Sequence, residues 1–218
     1  MNEIDTNREI KVRDGLCYRF FKRCFDIFFS FLFLVTFCWL ILLILLIKWL
    51  EDFHRPWYVS KRVGKHGKEF NFHKIRSMKK NADLEKDDLV KQGLNEADGP
   101  AFKMKNDPRI TPFGKFLRKT SLDEVLQFWD VFLGRMSIVG PRPPLPEEVK
   151  NYTEYQMHRL DVKGGLVCLW QITKNRNSLS FDEWVELDIK YIEHRSLWYD
   201  FKILIKAVWF VLTDHSGE

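Results

Sequence analysis

The stretch IFFSFLFLVTFCWLILLILLI, residues 27–47, decides the fold because its 21 residues include no charged side chain. As a single helix it would be about 31 Å long at a rise of ~1.5 Å per residue, which is enough to cross a bilayer. Its apolar core is too long for a secretory signal, and no small-residue cleavage site follows it. The sequence therefore predicts a segment embedded in a membrane.

Over a similar distance on each side, basic residues flank this stretch in equal numbers, five upstream and five downstream. They are Lys11, Arg13, Arg19, Lys22 and Arg23 on one side and Lys48, Arg55, Lys61, Arg62 and Lys65 on the other. The positive-inside rule orients a spanning helix by an unequal count, so a tie is expected if both ends lie in the cytoplasm. A re-entrant segment would have to bend in lipid, and the run contains neither Pro nor Gly. The residues alone leave spanning and re-entrant topologies open.

The net charge of +5 is concentrated around the apolar stretch. Residues 1–80 hold 16 Lys and Arg against 8 Asp and Glu, whereas the remainder holds 19 against 22. This distribution suits an anionic membrane surface, and no nucleic-acid-binding motif accompanies it, so no nucleic-acid partner is expected. The four cysteines lack paired or metal-ligand spacing, which predicts reduced thiols in a cytosol-facing protein.

The remaining chain predicts short strands and several helices. Residues 55–78 have the pattern of two strands joined at His66-Gly67. Apolar residues at helical spacing predict an amphipathic helix over residues 122–133. GPRPPLP, residues 140–146, must be irregular because four prolines in seven residues sustain neither a helix nor a central strand. Further helical patterns cover residues 147–160, 181–195 and the apolar C-terminal stretch, and residues 79–100 suit a surface helix or a loop.

Two adjacent acids, Asp123 and Glu124, stand in KTSLDEVLQ, residues 119–127. Ser121 followed three residues later by Glu124 matches a capping box, in which the Glu side chain turns back to the cap. Asp123 in the first turn would also be favoured by the helix dipole. A purely structural role therefore explains the pair on its own.

The basic residues near these acids suggest a chemical role instead. Within about 70 residues stand Lys74, Arg76, Arg109, Arg118 and Arg142. A helix N-terminus flanked by Arg suits phosphate groups, and adjacent carboxylates beside phosphate suit a bridging Mg²⁺. One acid would then hold metal while the other attacks phosphorus as a nucleophile. Both hypotheses stay open on these residues.

Four segments together resemble the bacterial sugar transferase family, the monotopic enzymes that move a sugar 1-phosphate from a nucleotide-diphosphate sugar to a polyprenyl phosphate. They are KRCFD (22–26), RVGKHGKEFNFHKIRSM (62–78), DPRITPFGKFLRKTSLDEVLQFWDVFLGRMSIVGPRPPLP (107–146) and CLWQITKNRN (168–177). The likeness extends over about residues 22–212, and the third segment is the most specific.

The resemblance implies a mostly helical α+β fold with a membrane-embedded N-terminal helical hairpin that is re-entrant. It implies a tail over residues 1–20, the membrane segment over residues 21–54, and a compact cytoplasmic catalytic domain with interfacial amphipathic helices over residues 55–218. The family usually breaks the hairpin at a Ser-Pro pair, and this chain has Cys38-Trp39 there. The hairpin is therefore the expectation that departs most from the family pattern.

The resemblance also implies a site and a reaction. Asp123 corresponds to the nucleophile that accepts the phosphosugar, and Glu124 to a catalytic residue that ligates Mg²⁺. Lys74, Arg118 and Arg142 correspond to basic residues that contact phosphate and nucleotide, and Arg176 to a position facing the sugar nucleotide. The expected reaction releases UMP from a UDP-sugar and initiates a surface glycan such as exopolysaccharide, capsule or O-antigen.

The expected partners are a UDP-sugar, polyprenyl phosphate and the bacterial inner membrane, with the catalytic domain on its cytoplasmic face; a homodimer is allowed. One alternative is a catalytically silent, membrane-anchored scaffold of a glycan-assembly complex, in which the acids serve only as a cap. Another is a one-step transferase without a covalent intermediate, in which Asp123 acts as a base. The sequence does not identify the sugar.

Overall fold

The computed structural model describes residues 9–94, 104, 106–173 and 178–213 of the chain. The described part is mostly helical, with two small sheets. Its helices and strands, in chain order, are α1 Leu16–Asp52, β1 Trp57–Val63, β2 Glu69–Ile75, α2 Ala82–Lys91, α3 Pro112–Lys119, α4 Gln127–Phe132, β3 Ser137–Val139, α5 Pro146–Val149, α6 Glu154–Met157, β4 Gly165–Val167, α7 Phe181–His194 and α8 Leu197–Thr213. This confirms the mostly helical α+β class.

The predicted strand pair is present as β1 and β2, which pair antiparallel from Trp57 opposite Ile75 to Val63 opposite Glu69. The connection contains His66 at φ 58° and Gly67 at φ 75°, so the predicted turn lies where two residues adopt left-handed backbone. The second sheet joins β3 and β4 in parallel. It brings the chain just before GPRPPLP beside the segment that precedes Cys168.

The N-terminal apolar segment forms one continuous helix, α1, of 37 residues. Among the described residues it is the helix with the length and apolar content to cross a membrane. The predicted helical hairpin is not present, because the helix continues through Cys38 and Trp39. With neither Pro nor Gly in residues 16–52, each residue keeps its backbone hydrogen bond and nothing forces a break.

The N-terminal half of α1 is bonded to the rest of the molecule. Arg23 donates to the last two carbonyls of α4, at 2.7 and 2.6 Å. The buried carboxylate of Asp26 accepts hydrogen bonds from the hydroxyl of Ser137 and from the backbone N–H of Ile138, both at 3.0 Å. This end of the helix is thereby fixed to β3 and α4.

The C-terminal end of α1 is bonded to the same body. Asp52 accepts hydrogen bonds from both terminal nitrogens of Arg76, which directly follows β2, at 2.7 and 2.6 Å. The fully buried Lys48 contacts Glu51 and lies 3.3 Å from the hydroxyl of Thr111. Between the two attachments, residues 35–39 are all exposed. The helix is therefore held at both ends while its middle stands clear of the domain.

Two clusters of buried apolar side chains form the core against which the elements of the site pack. The larger one joins α4, both strands of the small parallel sheet, α7 and α8. The smaller one places Ile41 and Ile44 of α1 against Ile75, Leu117 and Val125. Because Ile75 ends β2 and Val125 follows the acid pair, α1 packs directly behind the candidate site.

The other helix predictions are met to different degrees. The predicted helix over 181–195 is α7, and the pattern over 147–160 forms α5 and α6 followed by a 3₁₀ turn. The predicted helix over 122–133 is divided into a 3₁₀ turn, Leu122–Glu124, and α4. The C-terminal helix α8 buries Ile203 and Ala207 while leaving Trp198, Val208 and Trp209 exposed. Residues 79–94 include α2, and most of residues 95–105 lie outside the described part.

Candidate active site

The acid pair lies in a short 3₁₀ turn between α3 and α4, not at the start of an α-helix. Ser121, at φ 55°, adopts the left-handed conformation, and its side chain makes no capping hydrogen bond. The capping-box interpretation of Ser121 and Glu124 is therefore wrong. The chain leaves α3 through a left-handed residue, and after that turn both acids line the cleft instead of bonding back to a cap.

Glu124 is held by two cations that come from distant parts of the chain. The ammonium of Lys74 in β2 lies 2.8 Å from Oε1, and Nη2 of Arg142 lies 2.9 Å from the same oxygen. The other carboxylate oxygen, Oε2, has no partner among the described residues. Burial alone would raise the pKa of Glu124, but Arg142 and Lys74 hold it well below its usual range. Glu124 is therefore ionised, with one oxygen available.

Asp123 is 6% exposed, and its Oδ2 lies 3.6 Å from the ammonium of Lys74. Burial raises the pKa of Asp123, the charge of Lys74 opposes this, and the neighbouring Glu124 adds to it. A desolvated carboxylate beside a cation is a stronger nucleophile than a hydrated one, and a cation keeps it ionised. The two acids thus differ in environment although they are adjacent in sequence.

Arg118 approaches the same region from α3. Its Nε donates to the hydroxyl of Ser77 at 3.0 Å, which holds the guanidinium beside the cleft. Helix α3 is itself capped by Thr111, whose hydroxyl accepts from the N–H of Gly114 at 3.0 Å. The structure therefore brings five of the predicted residues together, namely Lys74, Arg118, Asp123, Glu124 and Arg142.

Two other arginines considered from the sequence are used in internal ion pairs. Arg109 forms a buried pair with Asp107, with Nη2 2.6 Å from Oδ2, and Arg76 binds Asp52. Arg176 lies outside the described residues. All four cysteines are free thiols, as predicted.

The acids open into a cleft of about 830 Å³. Its lining includes the rigid segment Pro143–Pro146 and the aromatic side chains of Phe181, Trp170 and Trp184, and the two tryptophan rings stack at 4.6 Å. Arg62 and Arg159 also line the cleft, although sequence reasoning did not single them out. Burial, and then the charge of Arg142, lower the pKa of Arg62 to about 10. A cleft lined by seven cationic and five acidic side chains together with aromatic rings suits a ligand that carries phosphates and a planar ring.

A buried ion pair supports Arg142 from behind. Arg159 pairs with Asp188 at 2.9 Å, and its Nη2 lies 3.5 Å from the backbone carbonyl oxygen of Arg142. Burial raises the pKa of Asp188 to about 6 although Arg159 opposes this. Neither Arg159 nor Asp188 was predicted to support the site, because nothing in the local sequence distinguishes them from ordinary surface charges.

The acid pair has the ligand set of only one kind of Mg²⁺ site. No group of three or more His, Cys, Asp or Glu side chains that could hold a metal occurs among the described residues. Mg²⁺, however, is commonly bound by one or two carboxylates together with substrate phosphates and water. The free Oε2 of Glu124, beside a cleft suited to phosphates, fits that kind of site. A metal held by protein side chains alone does not fit.

Comparison with known proteins agrees with this arrangement. The family model described as bacterial sugar transferase matches residues 17–214, which is nearly the whole chain. The chain belongs to the bacterial sugar transferase family. The match covers α1, the acid pair and the cleft, so the predicted family is confirmed over all the elements that form the site.

Several curated members of the bacterial sugar transferase family are similar to this chain. Galactosyl transferase CpsE of Streptococcus agalactiae is 44% identical over 161 residues, 74% of this chain and 35% of that protein. Undecaprenyl-phosphate galactose phosphotransferase of Salmonella typhimurium is 40% identical over 196 residues, 89% of this chain and 41% of that protein. Exopolysaccharide production protein ExoY of Rhizobium meliloti is 35% identical over 194 residues, 86% of this chain and 83% of that protein.

These alignments differ in how much of each relative they cover. The match takes up less than half the length of the first two proteins and most of ExoY.

Proposed function

We propose that this chain transfers a sugar 1-phosphate from a UDP-sugar to polyprenyl phosphate, and that Asp123 is the nucleophile. The observation that supports this most directly is the placement of Asp123, buried at the base of a basic cleft, 3.6 Å from Lys74 and adjacent to the ionised Glu124. The names of the relatives, which include an undecaprenyl-phosphate galactose phosphotransferase and an exopolysaccharide production protein, agree with such a reaction.

The first step forms a covalent intermediate. A carboxylate oxygen of Asp123 attacks the β-phosphorus of the UDP-sugar, and a bond forms between that oxygen and phosphorus. The bond from this phosphorus to the oxygen that bridges to the α-phosphate breaks, and the electron pair leaves with UMP. Lys74, Arg118 and Arg142 surround this position with positive charge, which stabilises the charge that builds up on the phosphoryl oxygens.

The second step transfers the phosphosugar to lipid. An oxygen of polyprenyl phosphate attacks the same phosphorus, the Asp123–phosphorus bond breaks, and the carboxylate is regenerated as polyprenyl-diphosphate sugar leaves. Glu124 would hold Mg²⁺ through Oε2, and the bound ion would supply further positive charge to the diphosphate of the donor. Arg142 and Lys74 keep Glu124 ionised for that role.

The proposed location is the bacterial inner membrane, with the catalytic domain on the cytoplasmic face. Both ends of α1 are bonded to that domain, so we place both ends on the same side of the membrane. The middle of the helix, residues 35–39, is exposed and would lie deepest in the proximal leaflet. This position brings a water-soluble donor and a lipid-bound acceptor to one interfacial site.

The proposal is tested with the Asp123→Asn variant, a panel of radiolabelled UDP-sugars and Mg²⁺. The wild-type protein should release UMP with one of the sugars, and Asp123→Asn should not. Asp83→Asn is the matched control, because Asp83 is an exposed carboxylate that lines the same cleft; it should retain activity. Unchanged turnover by Asp123→Asn would reject the nucleophile, and no turnover by the wild type with any donor would favour the scaffold alternative.

A further inference from the structure

A second cavity, of about 460 Å³, lies at the N-terminal end of α1. It is lined by the first turns of α1, by β3, and by side chains from the segment before β4 and from the C-terminal part of the chain. Its lining shares no residue with the cleft that holds the acid pair. Six cationic side chains face it, with two carboxylates: Arg19, Lys22, Arg23, Lys65, Lys163 and Arg195, and Asp14 and Asp26.

One carboxylate is shared by two of these cations. Asp14 lies 2.7 Å from the ammonium of Lys65 and 2.5 Å from Nη2 of Arg195. Its single negative charge offsets one of the two positive charges, and these contacts also fix the chain that enters α1. Asp14 therefore has no charge left for the other four cations that line the cavity.

The other carboxylate is engaged at the base of the cavity. Asp26 lies 3.5 Å from Lys22 and accepts its hydrogen bonds from β3. Lys22 is also 3.1 Å from Asp200, which is fully buried behind it. Lys22 is thus balanced by two acids, and no carboxylate that lines the cavity is left for the remaining cations.

Three cations keep an unbalanced charge. Arg23 donates to carbonyl oxygens, which do not offset its charge. Within the described chain, Arg19 and Lys163 have no acidic partner. Partial burial lowers the pKa of Lys163 and the charge of Arg23 lowers it further; Asp26 opposes this, and Lys65 and Arg19 add to the lowering. Cations that repel one another around a cavity are the arrangement that an anion would stabilise.

The start of α1 adds positive potential at the same place. Gly15 precedes the helix and offers no capping side chain, and the first turn contains no acid. The free N–H groups and the positive end of the dipole of a 37-residue helix therefore have no acidic residue in the first turn to balance them. Leu16 and Tyr18 of this turn line the cavity.

The rim of the cavity is apolar and continuous with the exposed side of α1. Leu16 is 81% exposed and Phe20 is 66% exposed. Since residues three, four and seven apart share one helix face, Leu16, Arg19, Phe20 and Arg23 present apolar and basic groups together. A ligand that fits here carries a negative charge at one end and hydrocarbon at the other.

We propose that this cavity binds the phosphate group of an anionic phospholipid, whose acyl chains lie along Leu16 and Phe20 on the outer side of α1. The bound lipid would neutralise Arg19, Arg23 and Lys163, and it would fix the depth of the N-terminal end of the helix at the headgroup level of the membrane. The site is separate from the catalytic cleft and does not depend on the proposed transfer reaction.

The test uses the full-length protein in nanodiscs of phosphatidylcholine and follows acylation of single lysines by an amine reagent, read out by mass spectrometry. Adding phosphatidylglycerol should slow acylation of Lys163 about tenfold, as expected for an ammonium held in a charge-assisted bond. Acylation of Lys119, an exposed lysine on α3 outside the cavity, should change little. Equal slowing at both lysines would indicate general surface charge and would overturn the site.

Two further arms identify the ligand. Inorganic phosphate that protects Lys163 as well as the lipid does would overturn the lipid assignment. Protection by polyprenyl phosphate but not by phosphatidylglycerol would assign the cavity to the acceptor lipid instead and would also overturn it. The Arg19→Gln variant should need about fivefold more phosphatidylglycerol for half-protection, since each basic residue at the surface contributes about 1 kcal/mol. Lys115→Gln, which removes a charge on α3, is the matched control and should behave as the wild type does.

Discussion

Nη2 of Arg142 lies 2.9 Å from Oε1 of Glu124, the oxygen that Lys74 also contacts. The side chain of Glu124 therefore faces the cleft and leaves its second oxygen free. This relationship decides between a capping role and a chemical role, because a carboxylate bonded to two cations across the cleft does not reach back to Ser121.

Arg142 should be required for transfer, and another positively charged side chain should not fully replace its guanidinium. Arg142→Gln is expected to lower the rate of UMP release about 10²-fold or more, as loss of an electrostatic group at a developing charge does. Arg142→Lys should recover part of the activity, because it keeps the charge but loses the planar fork. Arg135→Gln is the control, since Arg135 pairs with Asp130 at 3.2 Å and does not line the cleft. Equal rates for Arg142→Gln and Arg135→Gln would contradict the assignment.

Ser121 and Ser180, which each stand two residues before an adjacent Asp and Glu, should respond differently to alanine. Ser180 caps α7, with its hydroxyl accepting from the N–H of Glu183 at 3.2 Å, so Ser180→Ala should lower the free energy of unfolding by about 1 kcal/mol. Ser121 makes no capping bond, so Ser121→Ala should change it by less than about 0.5 kcal/mol. Thermal unfolding in detergent measures both. A larger loss of unfolding free energy for Ser121→Ala would show that Ser121 does cap the turn.

The two ends of α1 should be accessible from one side of the membrane. In a protein whose exposed cysteines are replaced by Ser, Gly15→Cys and Arg55→Cys should react with a membrane-impermeant thiol reagent in inside-out vesicles and not in right-side-out vesicles. Val35→Cys, in the exposed middle of the helix, is the control for burial in lipid and should react slowly in both. Labelling of residues 15 and 55 from opposite sides would show that α1 spans the membrane.

Asp188 should make stability depend on pH with a defined sign. Burial raises the pKa of Asp188 from 3.8 to about 6, so the folded protein binds its proton more tightly than the unfolded chain does. The stabilising contribution of Asp188 to the free energy of unfolding is fully present below pH 3.8, and it is lost as the pH rises through about 6. The melting temperature of the wild type minus that of Asp188→Asn should therefore decrease as the pH rises from 3.8 to about 6 and stay constant above that. An increase of this difference over the same pH range would show that folding lowers the pKa of Asp188 instead.

Much of the local structure could be predicted because short-range rules decide it. The strand pair follows from alternating residues around His66-Gly67, and α7 follows from apolar residues at helical spacing. The rigid wall of the cleft follows from the prolines in residues 140–146. In each case the residues that form the element are neighbours in sequence, so local preference and final structure agree.

The parts that could not be predicted depend on contacts between distant residues. Glu124 points toward Lys74 and Arg142, which are 50 and 18 positions away, and no local pattern reveals that these bonds replace the capping box. The continuity of α1 was also missed, because the hairpin came from the family resemblance although the chain has Cys38-Trp39 at the break. Arg62 and Arg159 enter the cleft only through the tertiary fold.

The central claim, that Asp123 carries the phosphosugar, is tested most directly by trapping the intermediate. Wild-type protein is mixed with labelled UDP-sugar and Mg²⁺ in the absence of polyprenyl phosphate, quenched in acid and digested. The labelled peptide should be the one containing Asp123, with one sugar phosphate added, and the label should be lost when polyprenyl phosphate is supplied before the quench. Lipid product formed at the normal rate, with no label on that peptide at any time point, would contradict the covalent mechanism and favour a one-step transfer.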